Sequence, residues 1–473
     1  MKQLPFSILA ITLLTAASPA LGSSPDNTLR AIGTGLQMTP SVTTDGRVIA
    51  VMHVDTAAGV ANYKVAIADL SSAEVSTEIH GPAAPGTSGP SLHTLPSGNV
   101  KIGSWAYPPA MESQLLAGEM YIQVNTMNQP TGEVRGQLVH LVAILDPEQV
   151  LPQPNPLSAS GGYALFTIDT ATNTLNYTIE YEPAVPSGEL MAHIHTDAVH
   201  GTNQVGVPPH TLPAGPMKTG SWNYDESYEQ LLLEGRTYVL IHSFMFPGGE
   251  LRGQIVNSVS ILDESQVVPP TGSPGYGWAI CSLNSDTGEL GYDVEWRDLN
   301  GMETIAAVHG PAPAGSGAPQ VFSMPLGPRK LGNETLSPDN VQAFLDCELY
   351  IDLHTSAFSD GEIRGQLEPV PDVGPVGPVF ERGDCNGDDA YNIADPIALL
   401  GFLFPGAMPT IIGCDDACDC NDDGMLNIAD AICALSGLFG MPAIPPAPPA
   451  GTCGVDPTEP DGLGCAMPAV CTP

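Results

Sequence analysis

Between residues 30 and 370 apolar and polar positions alternate in short runs. Ala164-Leu-Phe-Thr-Ile-Asp169 leads to a turn at Ala171-Thr-Asn173 and then to Leu175-Asn-Tyr-Thr-Ile-Glu180. Such runs are rich in Val, Ile, Tyr and Thr and are bounded by Gly, Pro and Asn, so they predict antiparallel strands with one face buried. Helical spacing is confined to stretches such as Ser113-Gln-Leu-Leu-Ala117 and Tyr228-Glu-Gln-Leu-Leu-Leu233. The whole pattern recurs with a period of about 115 residues. Gly-Glu-x-Arg-Gly-Gln ends each unit, closing at Leu138, Ile255 and Leu367. Upstream stand Glu78-Ile-His80, His193-Ile-His195 and Ala307-Val-His309, then the runs beginning at Tyr121, Tyr238 and Tyr350. Each unit predicts a β sandwich or open barrel of about seven or eight strands, large enough to fold alone. The fold class is mainly β, with repeats at 30–146, 147–262 and 263–370 and a small helical domain behind them.

That helical domain is read from residues 381–440. Asp384, Asn386, Asp388, Asn392 and Asp395 occupy positions 1, 3, 5, 9 and 12 of one loop, and Asp419, Asn421, Asp423, Asn427 and Asp430 occupy the same positions of a second. This spacing wraps side-chain oxygens around one hard cation, with the position-7 carbonyl as a further ligand. An apolar helix is predicted after each loop, over 396–404 and 431–439. Loop 2 keeps Gly424 at the turn, whereas loop 1 has Asp389, so the second site is expected to be the tighter.

Charge changes the picture. The chain has 473 residues and a net charge of −38, from 52 acidic against 14 basic side chains. A chain so acidic repels phosphates and anionic lipid, which argues against nucleic acid or membrane-surface partners. Residues 381–430 hold eleven acidic residues and one base, Arg382, a density that favours a bound cation. Lys2, the apolar run from Leu4 to Ala17 and the close at Ala20-Leu-Gly22 have the layout of a secretory signal peptide over 1–22. No later segment is apolar enough for membrane insertion, so the chain is expected to be secreted or cell-surface associated. Residues 371–380 read as a Pro/Gly linker and 441–473 as a Pro/Cys-rich tail.

Ten cysteines suit an oxidising compartment. Eight lie between Cys385 and Cys471, and Cys281 and Cys347 stand apart in the third repeat; the even count in each group favours disulfides. Cys414, Cys418 and Cys420 lack a second spaced pair for zinc. The repeated Arg135, Arg252 and Arg364 are expected to pair with a carboxylate, the Glu two residues earlier being on the same strand face. His193 and His195 share one face of a strand, and His242 on a neighbouring strand can complete a copper or zinc site. Only the second repeat has all three. The chain carries no Gly-x-Ser-x-Gly, no His-Glu-x-x-His and no phosphate-cradling loop, so catalysis is not indicated.

The His-Gly-Pro-Ala, Tyr-x-x-(Val/Ile/Leu)-(His/Asn)-(Thr/Ser) and Gly-Glu-x-Arg-Gly-Gln elements together resemble the CHRD domain, in three copies. The resemblance implies a β-rich extracellular module without established enzymatic activity. The second repeat departs from it at Thr196-Asp197 and the first at Asn125. Residues 380–440 are similar to a dockerin, which implies two calcium ions held by the ten loop residues named above and a cohesin-like protein partner on the paired helices, where Ile393-Ala394 matches Ile428-Ala429. The leading expectation is a secreted, non-catalytic binding or scaffold protein that attaches through a calcium-ordered module. One alternative is an exported copper- or zinc-dependent protein using His193, His195 and His242. Another is a carbohydrate- or polymer-binding protein with Trp105, Trp222 and Trp296 as platforms, although the shared Gly-Ser-Trp context of the first two favours a core role.

Overall fold

The structure, a computed structural model, describes residues 27–183, 185, 187–202, 208–367, 382–387, 391–404, 412 and 414–439. The expected leader, the linker at 371–380, the tail and the loop residues Asp388 and Asp389 lie outside them. The chain divides into two compact units, one of residues 1–223 and 234–372 and one of residues 224–233 and 373–473.

In the first repeat the strands are β1 (Thr28–Thr34), β2 (Arg47–Asp55), β3 (Val60–Ala68), β4 (Glu74–His80), β5 (Ser91–Thr94), β6 (Val100–Ala106), β7 (Tyr121–Thr126) and β8 (Val134–Gln137). They pair antiparallel in the order β5-β4-β7-β8-β1-β2-β3-β6. The link between β8 and β1 is a single pair, Thr34 with Arg135, so the sheet folds there into two four-stranded halves around one core. The third repeat has the same order with the same one-pair link, Asp263 with Arg364. In the second, the link is the isolated bridge between Asp146 and Arg252 and the halves count as two sheets. The barrel-like antiparallel unit is therefore built three times. The hairpin expected around Ala171–Asn173 joins Gly161–Asp169 to Thr174–Glu182, and short helices stand at Glu112–Leu116 and Glu229–Leu233, with a third at Pro338–Leu345.

Two expectations need correction. Strand Leu141–Leu145 pairs with Gly161–Asp169, and Ser258–Asp263 pairs with Tyr276–Asn284, so each opens the following repeat. The boundaries at 146/147 and 262/263 therefore fall too late. Nor is burial confined to one face. Thr174–Glu182 does alternate, with Leu175, Tyr177, Ile179 and Tyr181 inward. Thr28–Thr34, Leu141–Leu145 and Ser258–Asp263, however, are buried along nearly their whole length. Their outer faces meet in a shared core of Ile32, Ile49, Val51, Val142, Leu165, Val259, Ile261 and Trp278, drawn from all three repeats. Polar contacts surround it. Arg297 grips Asp69, Lys64 meets Asp263, Arg329 meets Asp146 and Glu148, and Arg236 meets Asp286. The repeats thus form one body rather than three independent beads.

In the second unit, helices Ala394–Leu403 and Ile428–Leu438 pack over Cys385, Leu399, Cys418 and Ala431. Disulfides join Cys385 to Cys418 and Cys420 to Cys433. Cys281 and Cys347 form none. Cys281 points into the core of its repeat, where burial pushes its thiol up to about 12, and Cys347 ends helix Pro338–Leu345 in a left-handed conformation.

Candidate metal centres

The repeated motifs converge on one construction. In the first repeat His80 lies opposite Tyr121, and Tyr121 opposite Gln137. The Tyr121 ring stacks on His80 with centroids 5.2 Å apart, and the Arg135 guanidinium lies 3.7 Å from its centroid. Tyr238 holds His195 and Arg252 at 5.1 and 4.1 Å, and Tyr350 holds His309 and Arg364 at 5.3 and 3.5 Å.

The expected Arg–Glu pairing does not form. Arg135 donates to the carbonyls of Thr87 and Ala84 and to Gln137, Arg252 to those of Thr202 and Val199 and to Gln254, and Arg364 to Ser316 and Gln366. Glu133 instead accepts from Thr44, Ser71 and Thr126, and Glu362 from Ser273 and Thr355. The partners of the two charges come from different segments: Thr44, Ser71 and Thr126 for Glu133, and the loop at Ala84–Thr87 with Gln137 for Arg135. Burial without a carboxylate partner pulls Arg252 down to about 10. The motif is a clamp on the loop that follows the His strand.

Beside this clamp the three repeats differ. A β-bulge between Glu189 and Met191 resets the register, so that Met191, His193 and His195 face His242, Leu240 and Tyr238 across the strand pair. The ligand nitrogens of His193, His195 and His242 all lie within 4.8 Å of one another. Among the described residues no other trio of His, Cys, Asp or Glu is so close. His242 is buried, its Nδ1–H donates to the Pro247 carbonyl at 2.9 Å, and its Nε2 has no hydrogen-bond partner. The Nδ1 of half-buried His193 is likewise unsatisfied, and burial, then His242, holds this imidazole below its ordinary pKa. In the first repeat the corresponding residues close on themselves: Glu78 accepts from His80 at 3.2 Å, and Asn125 bonds Ser76 at 2.9 Å. The third offers Ala307, His309, His354 and Asp352, with His354 Nε2 3.7 Å from Asp352.

In the second loop of the C-terminal unit the backbone N–H groups of Asp422 and Gly424 donate to Asp419, and those of Asn421 and Asn427 donate to Asp430. Both carboxylates are fully buried, and Asp430 is pushed up to about 6, by burial first and then by Asp419 beside it. The Oδ1 of Asn421 is buried and has no hydrogen-bond partner, while its Nδ2 reaches Asp423 at 3.1 Å. Gly424 takes φ +73°, the left-handed turn expected there. In loop 1 Asn386 and Asn392 bond Asp395 through their backbones, and Gly387 bonds Asp384. Asn392 and Asn427 accept from the backbone N–H groups of Ala394 and Ala429 at the start of each helix, and Asn427 is the N-cap of its helix. Position 9 thus serves the helix in both loops. Arg382 is buried and ties the loops together through the Asp419 carbonyl and the Asp422 carboxylate.

Met191, Leu240 and Asp352 carry no signal in the sequence; the strand register places them on the histidine face. Trp105 and Trp222 are buried, and Trp296 is half-buried with its indole N–H on the Gly327 carbonyl, so the first two offer no stacking platform to a sugar. Cys418 and Cys420 are committed to disulfides, which removes the zinc reading of that cluster.

The fold and its repeated clamp define a class: a three-fold repeated, barrel-like antiparallel β protein. The CHRD domain model matches residues 29–138, 141–255 and 259–367, and the chain belongs to the CHRD domain family. No curated protein and no solved structure matches it.

Proposed function

We propose that this is a secreted, non-catalytic binding or scaffold protein, whose CHRD body is attached to an extracellular assembly through a dockerin-like, calcium-ordered module at 381–440. The observation that carries the reading is a duplicated apolar face. Ile393, Ile397 and Phe404 are exposed around one helix, and Ile428, Ile432 and Phe439 at the same spacing around the other. Exposed apolar side chains in this density mark a docking surface. The leader-like N-terminus and the disulfides Cys385–Cys418 and Cys420–Cys433 support export.

The donor set suits calcium: carboxylate and amide oxygens without nitrogen or sulfur. Asp384, Asn386, Asp388 and Asp395 would hold one ion, and Asp419, Asn421, Asp423 and Asp430 the other, with Asn392 and Asn427 reaching an ion through water. The unsatisfied Asn421 oxygen and the Asp419–Asp430 pair support this assignment in loop 2. Bound calcium neutralises the loop carboxylates and orders the helices behind them.

The test uses the full chain, calorimetry with calcium, and a panel of recombinant cohesin domains. Two calcium binding events are expected, followed by cohesin binding that chelator abolishes. Ile397→Asp with Ile432→Asp should eliminate that binding. Either change alone should weaken it modestly, because the other helix presents the same face. Absence of calcium uptake, or full cohesin binding by the double variant, overturns the reading.

A further inference from the structure

We propose that the second repeat holds a copper ion on His193, His195 and His242, with Met191 at the open side of the site. The argument rests on three observations. First, the three imidazoles come from two adjacent strands, with ligand nitrogens within 4.8 Å of one another, close to the roughly 3.3 Å that bonds of about 2.0 Å impose in a tetrahedral site. Binding would draw the rings together by side-chain rotation.

Second, the polar atoms are prepared for a ligand. The Pro247 carbonyl fixes the His242 proton on Nδ1 and leaves Nε2 as a buried lone pair without a partner. A backbone acceptor behind a ligating histidine is the usual device for orienting it. In the first repeat the same place is filled by Glu78, His80, Asn125 and Ser76, which satisfy one another. An internally bonded network needs no ion. Three imidazoles with unsatisfied nitrogens at His193 and His242 leave a buried polar hole that an ion fills.

Third, Met191 selects the metal. It lies directly opposite His242 on the face that carries His193 and His195, and it is partly exposed. The matching residues are Ser76 and Ile305, so the thioether is particular to the repeat that has three histidines. Imidazole alone suits zinc and copper alike. A thioether adds a soft donor that favours copper(I), and copper(II) stands above zinc for nitrogen donors. Half-exposed His193 and Met191 leave the site accessible from solvent.

The experiment uses the full chain, freed of metal with chelator and then titrated with copper(II), copper(I) and zinc. Bound metal is measured by atomic emission and copper(II) coordination by electron paramagnetic resonance. One copper per chain is expected, with nitrogen hyperfine structure and tighter binding than zinc. His193→Gln, at a half-exposed position that keeps the fold, should weaken copper at least hundredfold, and His242→Ala should do the same. Met191→Leu should weaken copper(I) about tenfold and copper(II) little. His53→Gln, remote from the site, should change nothing. Unchanged copper content in His193→Gln with an unaltered circular dichroism spectrum overturns the site, and zinc binding tighter than copper overturns the choice of metal. Calcium uptake is read separately, so this result and that for the C-terminal module stand or fall independently.

Discussion

In the three-repeat body, Lys101, Lys218 and Lys330 are fully buried, and each meets a carboxylate of its own repeat: Glu74 at 2.8 Å, Glu189 at 2.7 Å and Glu303 at 2.6 Å. In the C-terminal module, the buried Asp430 has Asp419 as its neighbour, and Arg382, the base within the module, is spent on the Asp419 carbonyl and Asp422. The body therefore carries its counterions in its own sequence, while the module is the part in which the proposed calcium would supply them. A chain with only 14 basic residues has few cations to distribute. It places three of its lysines at one repeat position, where the fold needs them in every solution. Residues 381–440 contain none of its lysines.

The largest expected effect comes from breaking the internal compensation. Lys218→Met leaves the largely buried Glu189 carboxylate, among the described residues, with the Tyr181 hydroxyl for support. Removing one member of a buried pair costs about 3–5 kcal/mol. Scanning calorimetry of the full chain should register this loss in the calcium-insensitive transition of the body. A loss below about 1 kcal/mol would mean that solvent already screens the pair.

The complementary change in the module has the opposite sign without metal. Asp430→Asn removes one charge of the Asp419–Asp430 pair, so the metal-free module should become more stable. The variant should also lose its response to calcium, whereas the parent gains about 2.7 kcal/mol when calcium is a hundredfold above its dissociation constant. Thermal unfolding with and without calcium reads both effects. If the variant responds to calcium like the parent, Asp430 is not a ligand.

Much of this was legible because it is local. The hairpin at Ala171–Asn173 follows from alternation and turn residues, and the anchors at His80, Tyr121 and Arg135 announced themselves by recurring. The shared core was not read, although strands such as Arg47-Val-Ile-Ala-Val-Met carry apolar residues on both faces. The surface that covers the second face comes from other repeats, which alternation within one strand does not reveal. The partner of Arg135 was misread for a related reason. Strand periodicity put Glu133 on the same face, but the acceptors are carbonyls of a loop some fifty residues earlier. The buried lysines had a signal, their recurrence in a lysine-poor chain, that aligning the repeats brings out. The facing of Met191 and His242 depends on a bulge, which shifts the register in a way that composition does not encode.

The smallest effect lies between these extremes of compensation, at a group that the body keeps neutral. His200 is completely buried where the second and third repeats meet, with its backbone N–H and Nδ1 both within hydrogen-bonding distance of Ser282 Oγ. Burial, and then the charges of Arg252 and Arg329, lowers its pKa to about 3. The unfolded chain takes up this proton near pH 6.5, while the folded body refuses it until about pH 3. The unfolded state thus binds more protons throughout that interval, so stability is present above pH 6.5 and declines as the pH falls. One such group gives a slope of about 1.4 kcal/mol per pH unit. His200→Asn, which keeps a hydrogen-bonding group and cannot charge, should flatten the decline of the body's unfolding free energy between pH 6.5 and 4.5 by that amount. Urea titrations at intervals of pH, compared between parent and variant, isolate the term from the carboxylates that both share. Equal slopes would place the acid sensitivity of the body in its ion pairs rather than in this neutral contact between repeats.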